Sequence, residues 1–152
     1  MADVLIAERD PILREMLEVA VARDGHTVEA VATGDVALLW LASAPFDCLL
    51  IGAPLMLNRH VRRTLLEYLE QSGSDVAPRV IVLTARVFDR ELLVRAARLG
   101  VCAVFSEPFD LDELLRTIDR CSHDERPPRR FIGFSDFALS EIFGHDASAA
   151  EW

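Results

Sequence analysis

The sequence predicts an α/β protein built on a doubly wound, five-stranded parallel sheet, and three observations carry that prediction. Short, almost continuous apolar runs recur through the first 121 residues, as in Leu49-Leu50-Ile51 and Val80 to Thr84. Each is followed by a stretch whose apolar residues repeat at i, i+3 and i+4. The connections between them are short. Strands covered on both faces read as unbroken apolar runs, and parallel strands require helical crossovers.

Val4 to Ala7 is the first strand, and Pro11 suits the opening turn of the helix after it, where a missing N–H costs nothing. Leu13, Met16, Leu17 and Ala20 mark that helix through to Arg23, and Gly25 closes it. Thr27 to Val31 alternates as a half-buried strand. Thr33-Gly34-Asp35 opens a second helix, with Leu38 and Leu41 inside and a stop near Ala44-Pro45. Leu49 to Ile51 is a third strand ending at Gly52, and a third helix is expected from Arg59 to Gln71, with Val61, Leu65 and Leu69 on one stripe. Val80 to Thr84 is the fourth strand. Leu92, Leu93, Ala96 and Leu99 give the fourth helix up to Gly100, Cys102 to Phe105 the fifth strand, and Leu111, Leu114, Leu115 and Ile118 the fifth helix.

The chain of 152 residues is 51% hydrophobic, enough for one domain with a substantial core. Residues 1–121 are read as that domain. Residues 122–130, charged and containing Pro127-Pro128, read as a linker, and 131–152 as a phenylalanine-rich extension, expected to be a short helix. A net charge of -9 repels polyphosphate backbones and anionic lipid, so nucleic acid is a poor partner. Cys48, Cys102 and Cys121 lack disulfide or metal-ligand spacing and read as buried reduced thiols. Without a leader pattern or a membrane-length apolar run, the expected location is cytoplasmic.

In sheets of this kind, function gathers outside the carboxyl ends of the strands. The residues placed there are Glu8, Arg9 and Asp10, then Gly52, Thr84, Ser106 and Glu107. Magnesium needs several converging oxygen ligands. Arg9 instead sets a permanent guanidinium between two acids, so no metal and no cofactor is expected. Arg9 and Glu107 are expected to pair across the gap left by Gly52. His26, His60, His123 and His145 fall on separate elements, and Glu8-Arg9-Asp10-Pro11 lacks the glycines of a phosphate cradle. No enzymatic constellation results.

In its motifs and their order, the chain resembles the receiver domain of bacterial two-component response regulators over about residues 3 to 121. Glu8 and Arg9 fall on that family's acidic pair, Phe46 to Ile51 resembles its third strand, and Val80 to Ala85 its fourth-strand motif. Glu107-Pro108-Phe109 resembles its Lys-Pro-Phe motif, and Val104 takes the aromatic switch position. The resemblance implies a flavodoxin-like sheet of order 2-1-3-4-5. It also implies a degenerate site, because Gly52 stands at the phospho-accepting aspartate, Arg9 at a magnesium-holding acid and Glu107 at the phosphate-pairing lysine. Glu107 would repel a phosphoryl group.

The expected role is therefore that of an atypical, phosphorylation-independent receiver acting by contact with a histidine kinase, a regulator or another signalling protein, or as a homodimer. The expected contact surface comprises Leu92, Arg95, Arg98, Val104 and Leu111, continued by Phe131, Phe134 and Phe137. The alternative is a sensor that binds a small anion at a pocket formed by Arg9, Thr84 and Ser106.

Overall fold

The computed structural model describes residues 1–72, 79–85, 89–123 and, for the backbone, 130–132. The elements run β1 (Asp3–Ala7), α1 (Pro11–Arg23), β2 (Thr27–Val31), α2 (Gly34–Ser43), β3 (Cys48–Ala53), β4 (Met56–Asn58), β5 (Val61–Thr64), α3 (Leu65–Ser72), β6 (Arg79–Thr84), α4 (Arg90–Leu99), β7 (Ala103–Ser106), α5 (Leu111–His123) and β8 (Arg130–Ile132). The main sheet is parallel, in the order β2-β1-β3-β6-β7-β8. Its first five strands have the topology expected from the sequence.

Alternation along each strand divides the core in two. From β1, Leu5 and Ala7 face a cluster with Ala37 of α2, Leu65 and Leu69 of α3 and Leu93 of α4. Val4 and Ile6 face the other side, with Leu17 and Val21 of α1 and Leu114 and Ile118 of α5. Helix starts are set locally: the Asp10 carboxylate accepts from Ile12 N at 2.9 Å, with Pro11 in the first turn, and Asp89 accepts from Leu92 N at 3.2 Å. Gly100 ends α4 at φ 82°, a left-handed cap that suits glycine.

Three features depart from the sequence reading. The third helix begins at Leu65 rather than Arg59, because residues 56–64 form an antiparallel hairpin. The Asn58 side chain accepts from His60 N (2.8 Å) and Val61 N (3.1 Å), which turns the chain, and Thr64 Oγ1 accepts from Glu67 N (3.0 Å), which starts the helix. The third strand continues through Gly52 to Ala53. Residues 130–132, placed between linker and helix by the sequence, form a sixth strand opposite Ala103 to Phe105. Residues 124–129 and 133–152, including Phe134 and Phe137, lie outside the described residues.

All three cysteines are buried, and none forms a disulfide. Burial pushes the Cys48 thiol far up, and a hydrogen bond with Cys102, followed by burial, does the same for Cys121, so neither is a thiolate near neutral pH.

Candidate functional site

The register of the sheet decides which residues meet at its carboxyl edge. Ala7 of β1 lies opposite Ile51 of β3, so the next residues, Glu8 and Gly52, arrive level with each other. Thr84 ends β6 opposite both Ala53 and Ser106. The sequence-predicted positions Glu8, Gly52, Thr84 and Ser106 therefore share one edge.

Glu8 is 7% exposed, and its side chain lies over Gly52. A Cβ added at Gly52 would fall 2.6 Å from the Glu8 carboxyl carbon and 3.2 Å from Oε2, inside the contact limit. Gly52 is in regular strand, so only space demands glycine there. Glu8 fills the volume that a longer residue 52 would use. Its Oε2 accepts from Asp10 N at 2.9 Å, and its backbone N–H donates to Val31 O at 3.0 Å. Arg14, which the sequence reading did not single out, donates to the carbonyls of Glu8 (3.0 Å) and Arg9 (3.4 Å) and clamps the loop. Its legible signal was a cation one turn into the helix that follows the edge loop.

Arg9 does not pair with Glu107. Among the described residues no ion pair joins them, and Arg9 is exposed. The cause is topological: β3 and β6 stand between β1 and β7, which separates the two loops by roughly 15 Å at ordinary strand spacing. Glu107 is half-buried and its backbone N–H donates to Thr84 O at 2.7 Å.

The donor set does not suit magnesium. Gly52 offers no ligand, Arg9 brings a positive charge, and the Glu8 carboxylate is turned over Gly52 and bonded to Asp10 N. Among the described residues no group of three or more His, Cys, Asp or Glu is gathered to hold a metal ion.

Of the residues expected to form an anion pocket, Thr84 and Ser106 are buried, at 2% and 5% exposure, and Arg9 is exposed on the loop after β1. A cavity of about 240 Å³ opens beside Thr84, between β3, β6 and the helices α3 and α4. Among the described residues its charged lining is Glu67, Asp89, Glu91 and Arg95, an acidic excess that disfavours an anion.

The expected contact surface is partly internal. Val104 is fully buried, because β7 has neighbours on both sides and this side chain joins the core against α4, so it cannot belong to a docking face. Arg95 is held by Glu70 and Glu91, each at 3.3 Å, and Arg98 reaches Glu70 at 3.7 Å, which ties α4 to α3. Leu92 lines the cavity and is half-buried. Leu111 borders an apolar groove of about 610 Å³ between α1 and α5, with Ile12, Met16, Val19 and Leu115. The side chain of Phe131 lies outside the described residues.

No protein-family model matches the chain. It is 29% identical over 129 residues to the DNA-binding transcriptional regulator NtrC of Azospirillum brasilense, covering 84% of this chain and 25% of that protein. It is 28% identical over 145 residues to the response regulator MprA of Mycobacterium ulcerans, covering 91% of this chain and 60% of that one. The chain thus spans between a quarter and about 60% of the length of these relatives. Among solved structures, the non-phosphorylated receiver domain of HemR from Leptospira biflexa superposes with a TM-score of 0.66 at 25% identity, covering 84% of this chain and 98% of that one. A CheY-like receiver domain protein from Methanospirillum hungatei gives a TM-score of 0.70 at 20% identity, covering 80% and 94%.

The chain folds as a response-regulator receiver domain. Of the two curated relatives, one is named as a response regulator and the other as a DNA-binding transcriptional regulator. No described helix is long and apolar enough to cross a membrane.

Proposed function

We propose that this receiver domain is a degenerate, phosphorylation-independent form that signals by protein contact with a kinase, a regulator or another signalling protein. One observation carries the reading: the Glu8 carboxylate occupies the space beside Gly52, so position 52 has neither an acceptor side chain nor the room for one. The surrounding charge supports it. Glu8, Asp10 and Glu107 border the edge beside the exposed Arg9, and the sequence contains no lysine to neutralise a phosphoryl group.

The test is incubation of the full chain with magnesium and acetyl phosphate, followed by intact-mass measurement. The expected result is no added phosphoryl mass, together with an unchanged set of captured partners. A stoichiometric adduct released by hydroxylamine would identify an acyl phosphate and overturn the reading.

A further inference from the structure

One surface does not match the rest of this acidic molecule. Helix α2, Gly34-Asp35-Val36-Ala37-Leu38-Leu39-Trp40-Leu41-Ala42-Ser43, carries a single charge, and its outward side keeps Val36 (40%), Leu39 (66%) and Trp40 (36%) exposed. A helix apolar on every side is normally covered on every side. The β4–β5 hairpin packs against it so closely that a Cβ at Gly34 would meet the Leu57 Cα at 3.0 Å. Met56 and Val61, one on each strand of the hairpin, are both exposed. Beside them stand Arg59 and Arg62, both exposed, and no ion pair joins either to a described residue.

We infer that this apolar and basic surface is the docking site of the chain's own residues 133–152. The complementarity is twofold. That segment holds Phe134, Phe137, Ile142 and Phe143, and its charged residues are Asp136, Glu141, Asp146 and Glu151, without a lysine or arginine. An acidic aromatic segment matches exposed Leu39, Trp40 and Met56 flanked by two guanidinium groups that have no ion-pair partner among the described residues.

The topology supplies the reach. Strand β8 runs parallel to β7 and ends at Ile132 opposite Phe105, so the chain leaves it toward the carboxyl edge. The hairpin follows the carboxyl end of β3. Three strand spacings, roughly 15 Å, separate β8 from β3, whereas twenty residues can extend to about 66 Å. Docking within one chain avoids bringing two bodies of charge -9 together. The inference stands apart from the phosphorylation reading, since no residue of the Glu8–Gly52 edge takes part.

The test uses the full chain with Trp152→Phe, which leaves Trp40 as the sole tryptophan of the two in the sequence. Acrylamide quenching of Trp40 is compared with the same chain carrying Phe134→Ser and Phe137→Ser, and with one carrying Arg59→Glu and Arg62→Glu. Covering a residue that is otherwise 36% exposed should suppress quenching, so both altered chains should quench roughly two-fold more strongly, and raised salt should move the parent in the same direction. Equal quenching in all three chains would overturn the inference. A response to the phenylalanine changes alone would overturn the part assigned to Arg59 and Arg62. Quenching of the parent that rises on dilution would place the segment on a second copy and overturn docking within the chain. The substituted residues lie in the extension or on exposed hairpin positions, so loss of the fold does not confuse the readout.

Discussion

Gly52→Ala is the smallest change that asks whether Glu8 and Gly52 share one space. The added methyl needs the place of the Glu8 carboxyl group, whose carboxyl carbon would lie 2.6 Å away. The flexible end of Glu8 must swing out and give up its bond from Asp10 N, held at 2.9 Å. A hydrogen bond to a charged group is worth about 1.5–3 kcal/mol, and here the Asp10 amide can recover part of it from water. Alanine returns about 0.5–1 kcal/mol over glycine in a strand interior. The net expectation is a loss of about 1 kcal/mol.

The sign should reverse when Glu8 is absent. In a Glu8→Ala background Gly52→Ala displaces nothing, and only the favourable term of about 0.5–1 kcal/mol remains. Urea denaturation of the parent, both single variants and the double variant closes the cycle, with an expected coupling of roughly 1.5–2 kcal/mol. A coupling below about 0.5 kcal/mol would mean the two changes act independently, and the shared-space argument would fail.

Three further outcomes follow from the geometry. Arg9→Ala should leave stability within about 0.5 kcal/mol of the parent in the same denaturation assay, because the exposed guanidinium has no ion-pair partner among the described residues. Glu70→Ala should cost about 1–2 kcal/mol, since it removes the partner of both Arg95 and Arg98, whereas Arg98→Ala, breaking only the longer and more exposed contact, should cost less than about 0.5 kcal/mol. The Thr33 hydroxyl holds the Asp35 carboxyl below its ordinary range. That contribution is present above the unfolded carboxylate value near 3.9 and is lost as pH falls through the lower folded value, so Thr33→Val should flatten the acid limb of the stability profile and leave its neutral slope unchanged.

The strands were readable because burial on both faces writes itself as unbroken apolar runs, and the carboxyl edge followed from their order. The third helix was misplaced for a related reason. Val61, Leu65 and Leu69 fall at helical spacing, but the side chains of Asn58 and Thr64 decide the local backbone, and their signals are short. β8 was hidden by its setting: a three-residue strand after a charged, proline-containing stretch has no periodicity of its own. At the site, the sequence identified Glu8 and Gly52 as members of one edge. Their contact depends on strand register, which one chain's residue pattern does not state. The Arg9–Glu107 pairing failed because opposite charges on one edge do not convey the width of two intervening strands.

The arrangement at Gly52 also sets what this edge can accept. An aspartate introduced at that position alone would meet the carboxylate already lying there, two like charges in a space sized for one. It would first require Glu8 to shorten or turn away, a step that by itself surrenders the bond from Asp10 N. Two residues on neighbouring strands therefore act as one unit, and a larger residue 52 fits only together with a change at Glu8.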